Sequence, residues 1–551
     1  MTMLNNMTRK FYLRSLGTVF LVFVFMRGMS QTVPVGMPVL EDYYRRAQLL
    51  GHVDSAVSFT IRPISATKVF ALDDPFDPDK SFHDSTDTGY RSVTGSDHSI
   101  FNFQFLPFSW QQQYNSHHPY GWNNGLMVPA QGYQALVSGG FYAKAGPLEI
   151  QIRPEYAFVQ NTDYETIDIY DGAPDIPARF GTGSYSLASW GQSSIRLNFG
   201  ALSVGLSNEN LYWGPGNRNS LLMSNNAPGF KHLTFNTIKP LRTPAGSFEF
   251  QIVAGKLESS GYSFLEDIPE KSDWRYLSAF ALTFQPKWVP GLFVGLTRAF
   301  QAYRGDIKKL RDYVPFFVPY RKVKRSEFEE PFGRDQLTSI FARWAFIKAH
   351  AEIYFEYGIN DNAYNFRDLF GSPEHSRTYL FGLTKLTALR NRPEQHIRAN
   401  IEFTQISQSI DRLVRDAGSW YYHSLISHGY THKGEVLGAG IGPGANMQSL
   451  DVSWVSGYKS AGFLIERLVQ DDDYYLAAIG DLNGYSRRWV DISAAIHGAW
   501  NYKNLLLNAK LQFINSMNYQ WKLKDYRPGQ YYIPENDVFN FHGQLGVTYR
   551  F

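Results

Sequence analysis

The 551-residue chain contains no cysteine. That removes disulfide staples, thiol nucleophiles and cysteine-ligated zinc together. It also lacks a strong charge of either sign: Lys and Arg number 53 against 50 Asp and Glu, a formal charge of +3. No basic stripe appears, so a nucleic-acid partner has no electrostatic support. Beyond the N-terminus no segment offers about 18 consecutive apolar residues, the minimum for a membrane-spanning helix.

What is present begins with Arg9, Lys10 and Arg14, followed by an apolar run from Leu16 to Met26. Charge before a short apolar stretch, at the extreme N-terminus, reads as a secretory signal peptide over residues 1–31. No cysteine follows the run, which excludes a lipoprotein anchor.

Aromatic content is high, at 16%, with 35 Tyr and 41 Phe. Many of these residues fall in segments of period-2 alternation. From Lys348 to Tyr357, Ala349, Ala351, Ile353, Phe355 and Tyr357 share one face, and Lys348, His350, Glu352, Tyr354 and Glu356 the other. From His396 to Thr404, Ile397, Ala399, Ile401 and Phe403 oppose His396, Arg398, Asn400, Glu402 and Thr404. The final stretch, "FNFHGQLGVTYRF", sets Phe539, Phe541, Leu545, Val547, Tyr549 and Phe551 against Asn540, His542, Gln544, Thr548 and Arg550. A soluble sandwich and an outer-membrane barrel share such a pattern strand by strand.

Loop lengths separate the two. Strand cores are expected near Phe101, Gln134, Leu148, Ser194, Leu202, Lys231, Phe248, Leu277, Leu292, Leu337, Lys348, Thr378, His396, Leu450, Ala461, Val490, Asn504 and Phe541. Between them short turns ("AKAGP", "NFGA", "FI", "SGYKS", "NYKN") alternate with longer loops. An even strand number, with short turns at one end and long loops at the other, is the bacterial barrel plan. The expected fold is therefore all-β: a transmembrane antiparallel barrel of about 18 strands over residues 99–551. Residues 32–98 fit the alternation poorly and read as a helical or plug segment on the periplasmic side. Val39 to Leu50 predicts a helix with Leu40, Tyr43, Tyr44, Ala47 and Leu50 on its apolar face, capped by Gly51. "SFTIRPI", residues 58–64, predicts one strand. Asp73, Asp74, Asp77, Asp79, Asp84 and Asp87 lack the spacing of a calcium loop and read as a solvated loop. No metal and no cofactor is expected.

Three long stretches share the long-loop end. "YWGPGNRNSLLMSNNA" holds Tyr212, Trp213, Asn217, Arg218, Asn225 and Asn226. "YNSHHPYGWNNGLMVPAQGYQ" holds Tyr120, Trp122, Asn123 and Asn124. "SWYYHSLISHGYTHKGEVLGAGIGPG" holds Trp420, Tyr421, His423, Tyr430, His432, Lys433 and Glu435. Amides and guanidinium groups offer fixed partners to hydroxyls, and aromatic rings offer rigid contact area with a polar handle. Those groups suit a glycan. They equally suit a second use, in which the loops fold into the lumen and the amides satisfy buried backbone groups.

The WGPG motif followed by SNNA, the two other stretches and "RPI" near the start resemble the Wzi family of capsule-assembly outer-membrane proteins, bacteroidete type. The resemblance implies an 18-stranded barrel with helical segments at its periplasmic end and a lectin-like role in attaching capsular polysaccharide. The alternating final strand ending in Phe551 resembles the insertion signal of outer-membrane barrels, so outer-membrane lipid and the barrel-assembly machinery are expected partners, and a monomer is expected. The long stretch around Tyr430 departs from the enterobacterial pattern.

Two other classes compete. A porin or uptake channel would use the luminal charges Glu149, Arg153, Glu155, Lys348, Glu352, Arg398 and Glu402, which alternatively pair with one another and fill the barrel. An enzyme finds no support: His98–Ser99 and His423–Ser424 are adjacent and point to opposite faces of a strand. "GAGIGPG" does not match the dinucleotide-binding glycine spacing.

Overall fold

The computed structural model describes residues 32–65, 75–77, 101–165, 183–261, 274–315, 333–360, 366–371, 373–408, 419–423, 425–479, 487–521 and 536–551. The expected signal peptide, and all the aspartates from 73 to 87 except Asp77, lie outside these residues.

Eighteen antiparallel strands close into one barrel. In chain order they are β1 (Phe101–Asn115), β2 (Gly132–Ala145), β3 (Leu148–Ile152 and Glu155–Val159), β4 (Tyr185–Ser189 and Ser194–Phe199), β5 (Leu202–Ser207), β6 (His232–Thr237 and Leu241–Thr243), β7 (Gly246–Leu257), β8 (Arg275–Pro286), β9 (Leu292–Tyr303), β10 (Arg334–Phe346), β11 (Ala351–Asn360), β12 (Arg377–Leu389), β13 (Arg392–Gln405), β14 (Asn446–Ser456), β15 (Lys459–Val469), β16 (Val490–Tyr502), β17 (Leu505–Met517) and β18 (Val538–Tyr549). β18 pairs with β1, from His542 opposite Asn115 to Tyr549 opposite Phe108, so the sheet has no free edge at its seam.

The polarity of the faces decides the class. Along β11, Glu352, Tyr354 and Glu356 are buried, while Ile353 and Phe355 are exposed. Along β18, Asn540 and His542 are buried, while Phe539, Leu545 and Tyr549 are exposed. A sandwich in water would bury the apolar rows. Burying the polar rows is stable only where the outer surface meets hydrocarbon.

One part of the expected register shifts. Residues 347–349 form a 3-10 turn and His350 has φ 48°, so the alternation starts at Ala351. Lys348 and His350 therefore lie in the turn between β10 and β11 and not on the luminal face. Of the remaining luminal charges, Glu352 and Arg398 form ion pairs, the second of the two uses expected for them, while Glu402 accepts backbone N–H groups and Arg153 and Glu155 meet neutral side chains. Arg343 and Arg45 share Glu352 at 2.7 Å and 2.9 Å. Arg398 reaches Asp42 at 3.3 Å and Asp451 at 3.4 Å.

Arg45 and Asp42 belong to α1 (Pro38–Leu49), which closes the short-turn end. Its C-terminus is a Schellman turn: His52 N–H donates to Ala47 O, Gly51 N–H to Gln48 O, and Gly51 has φ 81°. Leu40, Tyr43, Tyr44 and Ala47 are buried as expected, but so are Arg45, Arg46 and Gln48 on the polar face. That face can be buried because Arg45 finds its counter-charge on the barrel at Glu352, Arg46 pairs with Asp42 one turn away, and Gln48 donates to Asp54 O and Val57 O.

Past α1 the chain rises into the lumen. Ser58 N–H donates to Glu249 at 2.9 Å, Arg343 donates to Ser58 O at 2.9 Å, and the Thr60 and Thr283 hydroxyls meet at 2.7 Å. The single strand expected over residues 58–64 is instead two short pieces on either side of Pro63. Ile64–Ser65 pairs with Thr32–Val33, and Ile61–Arg62 pairs with Tyr212–Trp213 of a long loop. Asp77, expected in solvent, is buried and pairs with Arg550 at 2.8 Å.

Among the described residues the Glu352 carboxylate is the sole counter-charge within ion-pair distance for Arg45, and it is shared with Arg343. Glu352→Ala strands two buried guanidinium groups and should cost about 3–5 kcal/mol. The compact band seen on unheated detergent gels should then be lost at a lower temperature than in the wild type. An unchanged temperature would show that this network does not hold the luminal segment.

Candidate functional site

The three stretches singled out by sequence meet one another inside the barrel. The loop from β5 to β6 descends along the lumen. Trp213 N–H donates to Met223 O at 2.9 Å, Trp213 Nε1–H to Gln251 at 2.8 Å, and Gly214 N–H to Thr60 O at 2.8 Å. Gly214 has φ 110°, and a Cβ there would come within 2.7 Å of the Glu356 carboxylate, so only glycine fits this turn. Arg62 lies 3.7 Å from the centroid of the Tyr212 ring and donates to Gly214 O at 2.9 Å.

The next residues wrap an anion. Backbone N–H groups of Asn217, Arg218 and Asn219 donate to the Glu402 carboxylate at 2.7, 3.0 and 2.9 Å, and Tyr354 O–H adds a fourth bond at 2.8 Å. Successive amides around one carboxylate form an anion nest, filled here by the protein's own side chain. Asn217 also accepts from Arg45 of α1 at 2.7 Å, and Arg218 pairs with Glu466 and covers Trp122.

SNNA joins the loops to each other. Ser224 N–H donates to Leu437 O at 2.7 Å, and Asn226 donates to Glu435 and to Val436 O, both at 3.1 Å. Asn225 donates to Asn123 O at 2.8 Å and accepts from Asn210 at 2.7 Å, while Asn123 donates to Arg218 O at 2.7 Å. From the loop after β13, Tyr421 O–H donates to Leu221 O and accepts from Ala439 N–H, both at 2.8 Å, and its ring stacks on Tyr430. Trp420 Nε1–H donates to Ser376 O at 2.8 Å, in a space that exists because residue 358 is glycine: a Cβ would come within 2.6 Å of the indole. Tyr120 accepts from Gln512 at 3.2 Å and lies edge-on to Trp122.

The three stretches converge, and most of their singled-out residues lie in the lumen, the second of the two uses open to them. Tyr120, Tyr212, Trp213, Asn225, Asn226, Trp420, Tyr421, Tyr430, His432 and Glu435 are buried, Trp213 and Trp420 completely. The Asn225 and Asn226 amides and the Tyr421 hydroxyl are committed to backbone groups of neighbouring loops. Asn123 and Asn124 are half-buried and face Met37 and Leu40 across a luminal cavity of about 100 Å³. Asn217, Arg218 and Trp122 are half-buried against luminal partners. His423 and Lys433 alone among the seventeen candidates are half-buried within the loops at the long-loop end itself. His432 lies beneath Lys433, where burial, with Lys433 and Arg275 nearby, holds its ring neutral, and its Nδ1 accepts from Glu258 N–H at 3.0 Å. Sequence reasoning missed the strand residues that receive the loops, Glu402, Glu466, Tyr354 and Gln251. Alternation placed Glu402 in the lumen, but not its partner.

The family described as "Capsule assembly protein Wzi" matches residues 130–520. The chain belongs to that family. The matched span holds the loop after β5 and the loop after β13, while residues 114–129 precede it. Among solved structures, Wzi, described as an outer membrane protein involved in group 1 capsule assembly in Escherichia coli and a carbohydrate-binding β-barrel, is 12% identical. The match covers 93% of this chain and 98% of that one, with a TM-score of 0.59. At that identity the likeness is one of fold. OprD of Pseudomonas aeruginosa is 8% identical, covering 80% and 92%, with a TM-score of 0.37. Comparison with curated protein sequences finds no match. As a Wzi-family barrel, the protein resides in the bacterial outer membrane.

Trp213→Ala removes a completely buried indole where loop, luminal segment and barrel meet. It should cost about 3–5 kcal/mol and expose the loop over residues 208–231 to added protease in intact cells, while the wild-type loop stays uncut. Equal resistance in both proteins would refute the packing role of Trp213.

Proposed function

We propose that the chain attaches or assembles capsular polysaccharide at the cell surface, as a lectin-like platform and not as a pore. The observation that carries this reading is the pairing of Ile61–Arg62 with Tyr212–Trp213 inside the barrel of a Wzi-family protein. Protein entering from each end of the lumen meets there by backbone hydrogen bonds. A porin leaves its lumen to water. In this barrel Glu352 and Arg398 are held by ion pairs and Glu402 by backbone donors of the loop, so the channel reading would need that packing undone.

The buried aromatic and amide cluster then acts as a frame. It fixes the loop that carries Tyr422, His423 and Lys433, whose half-buried side chains are placed to meet a polymer approaching from outside. The short-turn end with α1 faces the periplasm in this arrangement, and closure within one chain favours a monomer. The proposal is for binding without catalysis. Among the described residues no three His, Cys, Asp or Glu side chains gather as a metal site.

The test is binding of purified barrel to the host's own surface polysaccharide, with an unrelated glycan as control. The wild type should retain the host polymer selectively. His423→Ala combined with Lys433→Ala should weaken binding by roughly tenfold, at about 0.5–1.5 kcal/mol for each lost hydrogen bond, and should release capsule into the medium without stopping its synthesis. Equal retention of both glycans, or an unchanged affinity of the double variant, would sink the assignment.

A further inference from the structure

Between β4 and β7 the barrel wall is low. β5 ends at Ser207, which pairs with Ser194, and β6 begins at His232, which pairs with Gly255. Above them the upper piece of β4, Tyr185–Ser189, pairs with β3 and, among the described residues, with no strand on its other side. The chain that could have built the wall higher is the loop that dives into the lumen. Its departure leaves a lateral notch of about 430 Å³, lined by Ser189, Trp190, Lys231, Lys256, Glu258 and Lys433. Phe230 and His432 form its floor. Asn208 donates to Gly191 O at 3.1 Å and so pins the turn that carries Trp190.

Three features give the notch a chemistry. Trp190 is 60% exposed, a large ring held at an open surface. Three ammonium groups face one carboxylate, and Glu258 is already paired with Lys256 at 2.9 Å. The level is also defined. Ile195, Leu206 and Leu233 lie side by side in the register directly below, all exposed and apolar. They are the uppermost exposed apolar residues of β5, β6 and the lower piece of β4. Lys231 shares the parity of outward-facing Leu233 and Phe235. Lys256 alternates with the inward-facing Val253 and Leu257. The notch therefore opens sideways at the height where a bilayer places its headgroups and where barrels place aromatic rings.

We propose that this notch binds the phosphate of an outer-leaflet lipid headgroup. Lys231 and Lys256 pair with the phosphate, Lys433 adds to the field from behind, and Trp190 packs against the headgroup's apolar surface. Basic pockets at headgroup level recognise anionic lipids in this way. The sideways opening favours a lipid over a polymer that arrives from above.

The probe is lipid A, a diphosphorylated glucosamine lipid, titrated into detergent-purified protein and followed by native mass spectrometry and tryptophan fluorescence. Its dephosphorylated form and inorganic phosphate are run in parallel. Lipid A should bind saturably and more weakly at high salt. Lys231→Gln with Lys256→Gln should lower its affinity at least about tenfold, and Trp190→Phe should remove part of the fluorescence change. Both variants leave the buried frame intact and should keep the compact gel band. They should also keep polysaccharide binding, since His423 and Lys433 are untouched. Unchanged affinity in the lysine variant, or equal binding of the dephosphorylated lipid, would overturn the proposal. Displacement of lipid A by an equal concentration of inorganic phosphate would assign the notch to free phosphate instead. A lysine-dependent preference for an unphosphorylated uronate polymer would assign it to polysaccharide.

Discussion

Arg62 ties the two ends of the lumen together. Its guanidinium lies on the Tyr212 ring, donates to the carbonyl of Gly214, and pairs with Glu41 of α1. Tyr212 and Gly214 come from the long-loop end, while Arg62 and Glu41 come from the short-turn end. A buried guanidinium left without partners is costly. Withdrawal of the loop would take the Tyr212 ring and the Gly214 carbonyl from it and leave it paired with Glu41. The paired register of Ile61–Arg62 with Tyr212–Trp213, the amide nest on Glu402 and the burial of Arg45 and Arg46 of α1 belong to the same interior.

The same constraint explains why so polar a loop is so deeply buried. Inward-facing strand positions of a barrel are polar by rule, since the apolar positions face lipid. A loop that fills such a lumen must answer carboxylates, hydroxyls and amides with its own donors and acceptors. Asn217, Arg218 and Asn219 do this for Glu402, and Asn225 and Asn226 do it for the loops that carry Asn123 and Glu435. Amide-rich composition here marks internal satisfaction. What reaches the outer surface is the small remainder around His423 and Lys433, and the notch left where the loop departs from the wall.

The barrel was legible in the sequence because its signal is local. Period-2 alternation and loop length require no knowledge of partners, and the expected cores near Phe101, Thr378 and Val490 all lie in strands. The error at Lys348 arose because a 3-10 turn preserves the alternation of apolar and polar residues for a few positions without any strand being present. The site was less legible because its contacts are distant in sequence. Glu402 could be placed in the lumen by parity, but the backbone N–H groups that bind it lie far back along the chain, and alternation is silent about them. Sequence left exposure open for the same reason: aromatic and amide residues that suit a glycan also suit a polar lumen. The notch at Trp190 had no sequence signal, since it depends on β5 and β6 ending early relative to strands on both sides.

Single-channel recording of the purified protein in a planar bilayer tests most directly the proposal that the protein is a platform and not a pore. With the luminal segment and the loop joined at Arg62, the wild type should show no steady open state, and Arg62→Ala combined with Glu352→Ala should show openings. A stable, ohmic, porin-sized conductance in the wild-type protein would contradict the account.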